Sequence, residues 1–134
     1  MSAEQYQRMV NTLDKEIADL EKRKATADKK SADEQKKAAS VNISKNASAT
    51  TIKSKMSEIR RHEDAARKAS EESADLQKKI AEKRAKRNDA YLKLQKEQQT
   101  EQKKTQRVQQ QMIRDMQRLY EDRIADLEKQ ALPI

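Results

Sequence analysis

Apolar residues recur at steps of three and four along most of this chain, which is the spacing of one face of an amphipathic α-helix. Glycine is absent, and the single proline, Pro133, lies near the C-terminus, so nothing interrupts a helical pattern earlier. The pattern predicts a first helix over residues 1–40, with Ser2 and Gln5 forming a capping box at its start. The large apolar residues of its stripe are Met9 or Val10, Leu13, Ile17 and Leu20.

The composition changes between residues 41 and 50, where the sequence reads VNISKNASAT. Asn, Ser and Thr side chains compete for backbone hydrogen bonds and favour turns and helix caps. We therefore expect a connection here, with Ser48 or Thr50 capping a second helix. One uninterrupted helix is the alternative, because neither Gly nor Pro forces a break.

The second helix is expected over residues 51–131, and its apolar stripe falls into two parts. The first part lies within residues 51–90. Residues 95–107 contain no Val, Ile, Leu or Met, so this polar stretch has nothing to bury and is where we expect solvent exposure, a bend or fraying. The stripe resumes over residues 108–131 and is expected to stop at Pro133, which lacks the amide donor that would continue the helix.

A short connection makes two consecutive helices antiparallel neighbours. The sequence therefore predicts an all-α fold of the coiled-coil type, an antiparallel helical hairpin with a longer second helix. A turn centred near residues 46 and 47 predicts that Leu13 faces Ile80 and that Ser31 faces His62. The predicted hairpin seam consists of Leu13, Ile17, Leu20, Leu76 and Ile80.

The C-terminal stripe has no partner within this hairpin, because the first helix is about half as long as the second. An amphipathic helix gains most of its stability by packing its apolar face. We therefore expect a homodimer or a higher homo-oligomer, with parallel and antiparallel orientations both open. The predicted interface consists of Val108, Met112, Met116, Leu119 and Leu127.

The composition supports an elongated assembly over a compact domain. Charged residues make up 40% of the chain and aromatic residues 2%, which leaves too few large apolar side chains for a globular core. The chain has no Cys, its N-terminus is too polar for a signal peptide, and no apolar run is long enough to cross a bilayer. We expect a soluble, cytoplasmic protein.

The residues that carry chemistry in enzymes are sparse here. His62 is the only histidine, and without Cys it could share a metal with carboxylates at most. The absence of Gly excludes a phosphate-cradling loop or a nucleophile elbow, and extended helices offer no shared pocket for paired carboxyls. We expect no catalytic, metal-binding or cofactor-binding residue and no enzyme activity.

The net charge of +8 raises a second functional hypothesis, a basic helical module that binds nucleic acid or anionic membrane. Glu82 interrupts the strongest basic run, and Tyr91 is the only aromatic residue near it for stacking on bases. A solvated helix surface is the simpler interpretation. The candidate phosphate contacts are Lys78, Lys79, Lys83, Arg84, Lys86 and Arg87.

A family resemblance lies in the stretch from Ser48 to about Lys104, SATTIKSKMSEIRRHEDAARKASEESADLQKKIAEKRAKRNDAYLKLQKEQQTEQKK. It resembles the N-terminal coiled-coil region of some bacterial TIR-domain proteins, in its Ser/Thr-rich start, in KSKMSEIRR, in DLQKKI and in its Lys/Gln-rich tail. The resemblance implies a coil that holds apart or together TIR domains that cleave NAD or make signalling nucleotides. This chain itself has no TIR domain, so no catalytic residue is implied here.

These patterns together predict a non-catalytic module that oligomerises and spaces an effector attached after Ile134. The basic binding module is the alternative from a different functional class.

Overall fold

The computed structural model describes residues 1–131 and shows two α-helices that pack against each other, α1 (Ala3–Ala39) and α2 (Ala49–Ala131). The predicted all-α hairpin with a longer second helix is confirmed. The polar stretch 95–107 is helical and exposed apart from the half-buried Glu97. The helix end predicted at Pro133 lies outside the described residues.

The starts of both helices are capped by side chains that the sequence places there. The Gln5 amide donates to the Ser2 hydroxyl at 3.2 Å, and the Gln5 side-chain oxygen accepts from the Ser2 amide at 2.9 Å, so the capping box is present. At the start of α2, Ser48 accepts from the Thr51 amide through its hydroxyl at 3.2 Å and from the Ile52 amide through its carbonyl at 3.0 Å. The side-chain bonds satisfy amide donors at the helix starts that have no backbone partner.

The seam between α1 and α2 follows one regular spacing. Buried and half-buried positions recur at alternating steps of three and four, from Ala3 to Ala38 in α1 and from Ile52 to Glu97 in α2, with Glu16, Glu58 and Ala65 as further half-buried positions beside this series. A mean step of about 3.5 residues is the repeat of a left-handed coiled coil. The core cluster consists of Ile17, Leu20, Leu76 and Ile80, and Ile80 is only 1% exposed.

Nearer the connection the seam contains smaller side chains. The buried residues there are Ala27, Ser31, Ala66, Ala69 and Ser73. Small residues let two helix backbones approach closely while burying little apolar area, so polar groups share this part of the seam. The Ser31 and Ser70 hydroxyls lie 2.8 Å apart, and the Ser73 hydroxyl donates to the Asp28 carboxylate.

The pairing of the helices differs from the one expected from the sequence. Ser31 lies opposite Ser70 and not opposite His62, and Asp14 lies opposite Arg87 at 3.1 Å. Helix α2 is therefore shifted by about two helical turns relative to the predicted register. The predicted pairing of Leu13 with Ile80 and of Ser31 with His62 was wrong.

The course of the connection explains this shift. Ser40, Val41 and Asn42 line the same groove as Lys55 and His62, so the connection runs beside the first turns of α2. The turn expected near residues 46 and 47 is present, with the Ala47 amide donating to the Ser44 carbonyl at 3.1 Å, but residues 41–44 before it are not helical and advance further per residue than the helix beside them. A shift of about seven residues equals one heptad, so the apolar stripes of the two helices match in either register. The apolar pattern therefore does not distinguish the two registers.

The observed register predicts a specific cross-link. Ser31→Cys combined with Ser70→Cys should form an intrachain disulfide on oxidation, because the two hydroxyl oxygens lie 2.8 Å apart. The chain has no cysteine of its own to compete. Non-reducing electrophoresis and mass spectrometry measure the product. Ser31→Cys with His62→Cys is the matched control, and efficient intrachain bonding in that pair instead would contradict this register.

Candidate functional site

The C-terminal part of α2 extends beyond the hairpin. Every residue from Gln98 to Ala131 is exposed, whereas Leu94 is still buried against α1. Helix α1 begins at Ala3, so no element of the chain within residues 1–131 covers this extension. Within the described residues, α1 is therefore too short to pack against this extension.

One face of this extension carries a stripe of large apolar side chains, each between 51% and 69% exposed. At 3.6 residues per turn they fall within an arc of about 160°, less than half of the helix circumference. The apolar stripe contains the five residues predicted from the sequence and three that widen it. Its members are Val108, Met112, Ile113, Met116, Leu119, Tyr120, Ile124 and Leu127.

The residues predicted for the hairpin seam are in a different environment. Leu13, Ile17, Leu20, Leu76 and Ile80 are all buried between α1 and α2. They hold the hairpin together and offer no surface to a partner.

Half of the basic run singled out in the sequence is engaged across the hairpin. Lys83 pairs with Glu16 at 2.7 Å, and Arg84 pairs with Glu21. Arg87 pairs with Asp14 at 3.1 Å and also lies over the Tyr91 ring, 4.9 Å from its centroid. The acids of α1 thus neutralise these three side chains, and the exposed members left over are Lys78, Lys79 and Lys86.

The excess of positive charge is concentrated at the other end of the hairpin. Residues 36–62, which we call the basic tip, contain seven Lys and Arg against one acidic residue, Glu58. Within the described chain Lys37 is the one basic member that forms an ion pair, with Glu34 at 3.6 Å. Sequence reasoning missed this cluster because the connection divides its members. A running count of charge would have found it. The basic residues are Lys36, Lys37, Lys45, Lys53, Lys55, Arg60 and Arg61.

The single histidine belongs to a contact between the helices. Nδ1 of His62 lies 2.6 Å from Oε2 of Glu34, and both side chains are largely covered, at 25% and 16% exposed. The hydrogen bond with His62, and then the positive charge of Lys37, hold the pKa of Glu34 below its usual value. Across residues 1–131 no three His, Asp or Glu side chains cluster in a way that could hold a metal ion.

A second carboxylate shows the same effect. The hydrogen bond from Ser73, and then the one from Lys24, lower the pKa of Asp28. Asp28 and Glu34 both lie where the seam contains small side chains, and each accepts from a side chain of α2. These carboxylates tie the helices together where little apolar surface is buried.

Comparison with known proteins does not assign this chain to a family. No family model, no curated protein and no solved structure matches this chain. The resemblance of residues 48–104 to the coiled coils of TIR-domain proteins stays a prediction. Among the described residues no helix combines the length and the apolar character needed to cross a membrane.

The contact between Glu34 and His62 predicts a pH dependence. Because folding lowers the pKa of Glu34, its contribution to stability is present above the ordinary value of 4.5 and is lost as the pH falls through the lowered value. Glu34→Gln should therefore lower the melting temperature at neutral pH, and its difference from wild type should shrink between about pH 5 and about pH 3. Circular dichroism measures the melting curves.

Glu63→Gln serves as the control, since Glu63 is exposed on α2 and forms no ion pair in the described structure. It should leave the melting temperature nearly unchanged at every pH. A Glu34→Gln deficit that stays constant down to pH 3 would show that the carboxylate charge is not what stabilises the seam.

Proposed function

We propose that this chain is a non-catalytic coiled-coil module that self-assembles through the apolar stripe and thereby assembles or spaces an effector joined to it. The observation that carries the proposal is the apolar stripe itself, eight large side chains on the part of α2 that α1 does not reach. Monomeric proteins rarely expose a contiguous apolar surface of this kind. Fully burying each such side chain is worth about 1.5 to 3 kcal/mol, which provides the driving force for association.

The shape of the molecule suits a spacer. Helix α2 has 83 residues, which corresponds to about 125 Å at 1.5 Å per residue. The polar stretch 95–107 separates the hairpin, which buries its own seam, from the apolar stripe. Under this proposal, folding depends on the hairpin and assembly depends on the apolar stripe, which are different parts of one rod.

The effector is proposed from the sequence resemblance alone. A TIR domain that cleaves NAD, in a bacterial and cytoplasmic setting, fits the stretch of residues 48–104. Under this proposal catalysis belongs to the effector, and the helical module sets how many effectors meet and how far apart they stand.

Charge placed within the apolar stripe should abolish assembly. Met116→Asp combined with Leu119→Asp should convert the oligomer to a monomer at tens of micromolar, because each carboxylate would be buried in an apolar contact. The helical content of the hairpin should be kept, since both residues are exposed and far from α1. Light scattering measures the mass, and circular dichroism measures the helix content.

Gln110→Asp with Gln117→Asp is the matched control, because both glutamines lie outside the arc of the apolar stripe on the same part of α2. The control should keep the wild-type mass. A wild-type chain that is strictly monomeric at this concentration would remove the proposal, and an oligomer unaffected by Met116→Asp and Leu119→Asp would move the interface elsewhere.

The basic tip favours a second candidate function, binding of phosphate groups on nucleic acid or anionic membrane. Seven basic residues against one acid give this end of the hairpin a net charge of +6 out of +8 for the chain. The run from Lys78 to Arg87 is a weaker candidate for phosphate contacts, because three of its members already pair with acids of α1. Under this alternative the basic tip, and not that run, is the contact surface.

Neutralising the basic tip separates the two functions. A variant with Lys45, Lys53, Arg60 and Arg61 changed to Gln should bind duplex DNA, or vesicles containing phosphatidylserine, at least about tenfold more weakly than wild type. On DNA its salt dependence should become shallower, by about one unit of slope for each phosphate that the variant no longer neutralises. A variant with Lys78, Lys79 and Lys86 changed to Gln is the control, and both should keep the wild-type mass. Absence of binding by the wild type at low salt would remove this second candidate.

A further inference from the structure

We infer that the occupant of the apolar stripe is a second copy of this chain in antiparallel orientation, so that two hairpins stand at opposite ends of one rod. The orientation rests on the self-assembly proposed above and adds to it. Three features of residues 1–131 favour antiparallel over parallel pairing: the position of Arg123, the charge of the hairpins, and the change of charge along the extension of α2.

The apolar stripe runs from Val108 to Leu127, and an inverted copy overlaps most of it when the twofold axis lies between Leu119 and Tyr120. With the centre between these two residues, Met112 lies level with Leu127 of the second copy, and Val108 lies level with Ala131. Two of the level pairs, Met112 with Leu127 and Leu119 with Tyr120, join large apolar side chains, whereas Met116 lies level with Arg123 and Ile124 with Asp115. The apolar stripe is therefore compatible with inversion, and the charges are what distinguish the two orientations.

Arg123 distinguishes the two orientations. At about 100° per residue it falls within the arc of the apolar stripe, between Leu119 and Met116. In a parallel dimer Arg123 lies level with its own copy, which places two like charges together in an apolar seam. In the antiparallel dimer it lies level with residues 115–116, where Asp115 at the edge of the apolar stripe provides the opposite charge. The twofold symmetry of the dimer gives two such pairs of Arg123 with Asp115.

The charge of the hairpins also favours the antiparallel dimer. Residues 1–97 contain 24 Lys and Arg against 17 Asp and Glu, a net charge of +7 out of +8 for the chain. A parallel dimer places two such hairpins side by side with their basic tips together. The antiparallel dimer separates the hairpins by far more than the Debye length of about 8 Å at physiological salt, so their repulsion is screened.

The charge also changes sign along the extension of α2. Residues 98–118 contain five Lys and Arg against two acids, and residues 119–131 contain two against four acids. Antiparallel pairing brings the basic half of each copy beside the acidic half of the other. Parallel pairing brings like halves together, which complementary interfaces avoid.

Solution scattering distinguishes the two arrangements by length. In the antiparallel dimer each copy extends about 105 Å from the centre to the start of α2, which gives a maximum dimension of about 210 Å. A parallel dimer would measure about 125 Å. A dimeric mass with the shorter dimension overturns the orientation and leaves the self-assembly standing, whereas a monomeric mass overturns both.

Disulfide trapping tests the relative orientation of the two chains without removing an apolar side chain. Gln109 and Gln130 both lie within the arc of the apolar stripe, and they are level with each other only in the antiparallel dimer. Gln109→Cys mixed with Gln130→Cys should give a cross-linked dimer of one chain of each kind on oxidation, and each variant alone should give little. Efficient cross-linking of each variant with itself would overturn the inference, because it requires a parallel pair.

Discussion

The packing of Ile17 and Leu20 against Leu76 and Ile80 is the interaction on which the rest of the structure depends. Two helices as polar as these gain little from propensity alone, so their stability comes from the apolar surface that they bury together. The remainder of the seam consists largely of small side chains. Hydrogen bonds from Ser73 to Asp28 and between His62 and Glu34 supplement it where little apolar area is available.

This seam also determines where the charges of the molecule are satisfied. Alongside its Leu and Ile residues, the acids of α1 meet Lys83, Arg84 and Arg87 of α2. The basic residues near the connection have no comparable row of acids opposite them, so the positive charge of the chain is displayed at the tip. Ion pairs at this level of exposure add about 0 to 1 kcal/mol each, and their larger effect is on register and on the surface left to partners.

The difference in length between the helices separates three roles along one rod. The hairpin is a folded unit with its own seam, the polar stretch 95–107 is a helical spacer, and the apolar stripe is the surface that we propose for a second copy. An antiparallel pair would place the two basic tips at the far ends. Such an assembly could hold effectors near its centre while the tips remain free to contact other partners.

The sequence by itself determined both helices, their caps and the residues of the seam. The reason is local: the absence of Gly, the three-and-four spacing, Ser2 and Ser48 act through neighbours a few residues away. The sequence pattern did not determine the register of the hairpin, because a shift of one heptad leaves the apolar stripes matched. Only the tertiary structure, in which Ser31 meets Ser70 and Glu34 meets His62, selects between the two. It also decided which basic residues are neutralised, since those partners lie far apart in the chain and their meeting depends on the register.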